Sequence, residues 1–158
     1  MELPMSQPRI TYDAFAKLAP VAQQSLLAMG KQADESGIGK EIIELVKLRV
    51  SQINNCAFCL QIHLNVSRKH AIAQEKLDLV ATWEEAGIFS EKECAALAWA
   101  ERLAHLAGGR VSDEDYAAVR KHFSEEEVVF LSVSIATINA WNRLGAAFRF
   151  APPILPRR

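Results

Sequence analysis

Residues 124–148, SEEEVVFLSVSIATINAWNRLGAAF, restrict the fold more than any other stretch of the chain. Ser124 and Glu127 have capping-box spacing, and three acids fill the first turn, where a helix favours negative charge. The segment then stays largely apolar to Phe148. It is too long for an ordinary strand. It carries no run of 18 apolar residues, the length that would call for a membrane span. It reads as a buried helix, apolar around much of its circumference. Val128, Val129, Leu131, Val133, Ile135 and Ile138 occupy more than one face, so a small domain has difficulty covering it alone. The expectation is a homo-oligomer.

The rest of the chain reads as helix too. No long Val/Ile/Thr alternation and no Asn-Gly hairpin signal is present. Residues 13–30 have helical spacing, with Pro20 as a kink or break and Gly30 as the stop. Residues 33–39, ADESGIG, read as a turn. Residues 40–53 place Ile42, Ile43, Val46, Val50 and Ile53 on one stripe. Asn54 and Asn55 then interrupt the pattern, and either suits the cap of a helix over about 56–70. Shorter helices follow over about 73–85, from Ser90 to Gly108-Gly109, and from Ser112. The tail APPILPRR should be irregular. The prediction is a compact all-α domain of about seven helices over 1–158, with its core at about 15–150.

Charge is nearly balanced, 18 Lys plus Arg against 19 Asp plus Glu. That gives no footprint for nucleic acid. No membrane segment is expected, and the N-terminus lacks the basic start and apolar run of a secretory signal. The expected location is the cytoplasm, where structural disulfides are rare. Of three cysteines, two stand in the stretch NNCAFCLQIHLN, residues 54–65.

On a helix, Cys56 and Cys59 are i and i+3, and Cys59 and His63 are i and i+4. All three share a face, with Cβ atoms roughly 5–6 Å apart. A disulfide can close, and the imidazole can reach the second sulfur. Cys56 also falls in the first turn, where unpaired backbone N–H groups stabilise a thiolate. This arrangement supplies what thiol redox chemistry needs. Zinc bound by Cys56, Cys59 and His63 is a competing reading, although no second half of a tetrahedral site follows. A core pair beside a satisfied histidine is the plainest one. Glu44 is the candidate to orient the histidine. It interrupts an otherwise apolar or basic segment. If the two helices pack antiparallel across the Asn54-Asn55 turn, it lies opposite His63. A solvent-facing Glu44 paired with Lys40 or Lys47 is the alternative.

Glu44, Cys56-Ala57-Phe58-Cys59 and His63 together resemble the core of the alkylhydroperoxidase AhpD-like family, also called the carboxymuconolactone decarboxylase family. Residues 89–105, 111–127 and 136–149 resemble its peroxidase-like branch. The resemblance implies an all-helical fold that assembles as dimers, trimers or hexamers. It implies a thiol peroxidase in which Cys59 attacks the hydroperoxide, Cys56 resolves it as a disulfide, and His63 and Glu44 form a proton relay. Helix-terminus electrostatics alone favour Cys56 as the more acidic thiol. The i+4 contact with an imidazole favours Cys59, as the resemblance does. Phe58 stands where the best-described family member has a further histidine. No cofactor or metal is implied, so an external thiol or disulfide protein must return the electrons. A disulfide oxidoreductase, or a redox-sensing helical oligomer without peroxide turnover, remains the alternative.

Four other features have simpler readings. Cys94 lies in an apolar stripe and reads as a buried, inert thiol. Trp83, Trp99 and Trp141 read as packing residues, any of which could wall a pocket. Asn139, Asn142 and Arg143 interrupt the last helix and need partners, either across helices or in a pocket. His105 and His122 read as a helix-end and a turn residue.

Overall fold

The stripe predicted over residues 40–53 becomes the central helix of a computed structural model that describes residues 7–156. Helix α3, Lys40–Ile53, is enclosed on almost every side, with Ile43 to Leu48 all buried. One face, with Ile43, Val46 and Val50, joins a cluster formed with Ala96, Val119, Leu131, Ile135 and Ile138. The other, with Leu45 and Leu48, packs on Ile72, Leu77, Val80 and Leu97. Full burial of each such aliphatic side chain is worth about 1.5–3 kcal/mol. This two-sided enclosure makes α3 the natural platform for a rigid site.

Nine α-helices and no strand occur among the described residues: α1 Tyr12–Leu18, α2 Pro20–Asp34, α3, α4 Ala57–Lys69, α5 Gln74–Leu79, α6 Trp83–Ala86, α7 Glu91–Ala104, α8 Asp113–Arg120 and α9 Glu125–Phe148. The all-α expectation holds, with two predicted helices each divided in two. Pro20 breaks the first, at Ala19. A 3₁₀ turn over Val80–Thr82 interrupts the other. The capping boxes at Ser90, Ser112 and Ser124 are all formed.

Three boundaries differ from expectation, one being that of α7, expected to run to Gly108-Gly109: it ends at Ala104, with His105 as its cap and a separate 3₁₀ turn over Leu106–Gly108 beyond. Gly30 does not stop α2, which continues to Asp34. Glu35 is its C-cap, and the turn beyond passes through Gly37 and Gly39, with φ of 87° and 107°, values that side-chain-bearing residues rarely adopt. Gly30 instead lies against α9, where an added Cβ would meet Thr137 Cγ2 at 4.0 Å. Neither asparagine caps α4. Asn55 takes the left-handed turn position at φ 53°. Cys56 is the N-cap, its Sγ accepting from the Cys59 backbone N–H at 3.3 Å.

Helix α9 is wrapped by its own chain, packing on α2, α3, α4, α7 and α8. Val128, Leu131, Ile135 and Ile138 are buried, while Val129 stays about half exposed. The apolar surplus of the sequence is thus largely absorbed internally. What remains outside includes Leu18, Val21 and Leu27 of α1–α2 and Ile154 and Leu155 of the irregular tail.

Candidate active site

The turn at Asn54–Cys56 reverses the chain so that α3 and α4 pack side by side. Glu44 and His63 therefore meet across the pair, with Glu44 Oε2 2.7 Å from His63 Nδ1. Glu44 is fully buried, so the solvent-facing alternative does not apply. Its Oε1 lies 2.9 Å from Lys40 Nζ and 3.6 Å from Lys47 Nζ. The Lys40 contact is an ion pair without hydrogen-bond alignment at the carboxylate. Burial pushes the Glu44 carboxyl upward, but the His63 hydrogen bond and charge, with the two lysines, outweigh it and hold the pKa at about 2. An ionised carboxylate only accepts hydrogen bonds, so Nδ1 of His63 must be the donor. Whenever that ring is neutral, Nε2 is its acceptor.

This ionisation carries a stability consequence. A buried carboxyl whose pKa falls from 4.5 to about 2 stabilises the fold above pH 4.5, and the contribution disappears as pH drops through about 2. The magnitude is on the order of 3 kcal/mol. Glu44→Gln is expected to lose this contribution at neutral pH and to show a correspondingly shallower decline between pH 5 and 2. Urea unfolding across that range measures it.

Cys56 and Cys59 are joined as a disulfide, with Cα atoms 5.4 Å apart. Both are almost inaccessible, at 3% and 2% exposure, but they face different surroundings. Cys59 and His63 line a cavity of about 560 Å³; Cys56 does not. The cavity wall is mainly apolar and aromatic, formed by Tyr12, Phe58, Ile62, Ile138 and Trp141 among others, with Asp34 and Lys47 at one side. Phe58, in the place of a second histidine, packs in an aromatic cluster with Tyr12 and Phe150, centroids 5.5 and 5.1 Å away.

Behind the disulfide stands Gly145 of α9, which the sequence reading did not single out. A Cβ there would lie 2.8 Å from Cys56 Sγ and 3.6 Å from Cys59 Sγ. The disulfide prevents Cys56 Sγ from swinging aside. Gly145→Ala is expected to destabilise the oxidised protein by about 1–3 kcal/mol, and the reduced protein by less, because a free thiol can change rotamer. Thermal melts in both redox states test this. The only sequence sign was a glycine inside an otherwise continuous helical pattern.

The asparagines resolve as a bridge across helices. Asn54 Nδ2 donates to Asn139 Oδ1 and Asn142 Oδ1, at 3.0 and 2.9 Å, and Asn142 Nδ2 donates to Ser51 Oγ at 3.1 Å. Arg143 caps this bridge through the carbonyl and side-chain oxygens of Asn139. Together they tie the turn preceding Cys56 to α9. Trp83 and Trp99 donate to Glu101 and Ser132, leaving Trp141 as the tryptophan of the cavity wall. Cys94 lies apart from the pair, half-buried, and burial pushes its thiol pKa up. His105 ends α7 as its C-cap, and His122 falls in a turn. Among the described residues, no three His, Cys, Asp or Glu side chains converge as a metal set, which leaves the zinc reading without a site there.

The sequence profile of the carboxymuconolactone decarboxylase family matches residues 20–102, over half of the chain. This protein belongs to the carboxymuconolactone decarboxylase family. It is similar to the uncharacterized protein YdfG of Bacillus subtilis, 37% identical over 143 residues, spanning 90% of this chain and 95% of YdfG. Its fold superposes with a TM-score of 0.87 on ATU0492 of Agrobacterium tumefaciens, 35% identical, covering 94% of this chain and all of that one. ATU0492 is of unknown function, with an antioxidant defence role of the AhpD type suggested for it. A debrominase of the same fold, Bmp8, solved with 2,3,4-tribromopyrrole, is 18% identical with a TM-score of 0.76, over 85% of this chain and 72% of Bmp8. The family fold therefore does not by itself select a reaction.

Proposed function

We propose that this protein is a thiol-dependent peroxidase that reduces organic hydroperoxides through Cys59 and Cys56. The observation that carries the reading is the asymmetry of the pair. Cys59 shares a cavity with His63, and His63 is held by Glu44, while Cys56 lies off the cavity. In the reduced protein, Nε2 of His63 takes the proton of the Cys59 thiol. The thiolate attacks the terminal oxygen of ROOH and the O–O bond breaks. Cys59 becomes a sulfenic acid, and the departing alkoxide takes the proton from His63 and leaves as ROH. The Cys56 sulfur then attacks the Cys59 sulfur, the S–O bond breaks, and water departs as the disulfide forms. An external dithiol supplies two electrons to restore both thiols.

Glu44 acts here by orientation and charge rather than by carrying the proton, since its carboxyl is ionised at neutral pH. The apolar wall fits a hydroperoxide with a bulky organic group. The near-complete burial of both cysteines weighs against direct exchange with the folded face of another protein, so a small dithiol fits the reducing step better than a disulfide protein does, and the peroxidase reading is preferred to a protein disulfide oxidoreductase. Assembly as a dimer-based homo-oligomer belongs to the same reading, supported by the exposed apolar residues of α1, α2 and the tail. A cytoplasmic location would supply the reducing thiols.

The test is dithiothreitol-supported consumption of cumene hydroperoxide, tert-butyl hydroperoxide and hydrogen peroxide by purified protein. Multiple turnovers are expected with the organic peroxides. No turnover with any of them, while the Cys56–Cys59 pair remains reducible, overturns the peroxidase reading. Light scattering at micromolar concentration checks the assembly.

A further inference from the structure

Asp34 is the last residue of α2, where the helix dipole disfavours a carboxylate. It nevertheless accepts from Lys40 Nζ and Lys47 Nζ, each at 2.9 Å. Both ammoniums in turn face Glu44 Oε1, and Glu44 Oε2 faces His63. Lys47 is nearly buried. Three helices thus contribute charged groups to one chain of contacts: Asp34 from α2, Lys40, Glu44 and Lys47 from α3, and His63 from α4. No other charged side chain pairs with Glu44 among the described residues. The two carboxylates and two ammoniums balance without an imidazolium.

We propose that Lys40 and Lys47, anchored by Asp34, are positioning residues that keep Glu44 ionised and thereby decide which nitrogen of His63 is free to accept a proton. The physical reason is that a buried carboxyl has two ways to satisfy itself. Ionised and paired with ammoniums, it accepts from Nδ1–H and leaves Nε2 as a base. Neutral, its O–H donates to Nδ1, the ring hydrogen moves to Nε2, and the ring offers a donor where a base is required. Burial favours the neutral form; the hydrogen bond and charge of His63 oppose it first, and the two lysines, which hold Glu44 Oε1 from the other side, add to that opposition. For Lys40, burial lowers the pKa, but its ion pair with Glu44 and its hydrogen bond to Asp34 more than offset this and keep it raised. The consequence for rate rests on the peroxidase reading; the tautomer itself does not.

The experiment is nitrogen NMR of ¹⁵N-histidine-labelled full-length protein, with the His63 signals assigned by their loss in His63→Ala. Wild type is expected to show the Nδ1–H tautomer at pH 7. Lys40→Met, and more completely Lys40→Met/Lys47→Met, should move the population toward Nε2–H and restore Nδ1–H as rising pH re-ionises Glu44. Lys40→Arg, which keeps the charge, should retain the wild-type shifts. Iodoacetamide alkylation of Cys59 in the reduced Lys40→Met protein at pH 7 should slow about tenfold, part of the 10²–10⁴ that loss of a general base costs, and recover at higher pH. Retention of Nδ1–H in Lys40→Met at pH 7 overturns the proposal, and this single variant decides the matter if the double one does not fold. Wild type with the Nδ1–H tautomer but no peroxide turnover would sink the peroxidase reading and leave the clamp standing.

Discussion

Cys59→Ser is expected to abolish peroxide reduction, with residual turnover indistinguishable from buffer. Serine fills the same space, but its hydroxyl is not a nucleophile at neutral pH, and no other cysteine lines the cavity. Cys56→Ser should behave differently. Cys59 still faces the cavity, so one equivalent of hydroperoxide is consumed, and the protein then stops as a sulfenic acid with no resolving thiol. A sulfenic-acid reagent followed by peptide mass spectrometry reads the position of the adduct. An adduct on Cys56 of the Cys59→Ser protein, with none on Cys59 of the Cys56→Ser protein, would reverse the assignment. The advantage of Cys56 as N-cap of α4 would then outweigh the access that Cys59 has to the cavity.

His63→Ala is expected to slow sulfenic-acid formation by about 10²–10⁴, the usual worth of a positioned general base. The loss should shrink as pH rises toward the value at which an unassisted thiol ionises, about 8.5. Disulfide formation should still occur, because His63 is not the nucleophile. Glu44→Gln should cost less, since the imidazole remains while the ionised carboxylate that holds Nδ1–H is gone. A pH–rate profile of the three proteins separates these outcomes. Unchanged profiles in both variants would mean that Cys59 is activated by backbone dipoles alone.

Helix α3 shows how much a local pattern can determine. Its spacing of Ile43, Val46 and Val50 gave the bounds 40–53 directly, because helical periodicity is a short-range property written in every turn. Ser90 and Ser124 marked helix starts for the same reason: an N-cap and its N3 partner lie within one turn. Gly30 misled, because a glycine ends a helix only where nothing rewards its continuation, and here α9 packs against it.

The site divides along the same line. Cys56, Cys59 and His63 were legible because one helix places them together, and Glu44 because a short turn fixes its distance from His63. Gly145 and Trp141 come from α9, far away in sequence, and Asp34 ends the neighbouring helix α2. No local rule signals that Gly145 backs a disulfide, or that an acid ending α2 anchors two lysines of α3. The ionisation of Glu44 was equally undetermined, since burial and ion pairing push a carboxyl in opposite directions. The chain alone thus determined the helices and the face that carries the thiols. The packing of α2, α4 and α9 around α3 decided which thiol meets the cavity and which charge the glutamate keeps, because both depend on neighbours that only the folded chain brings within contact distance.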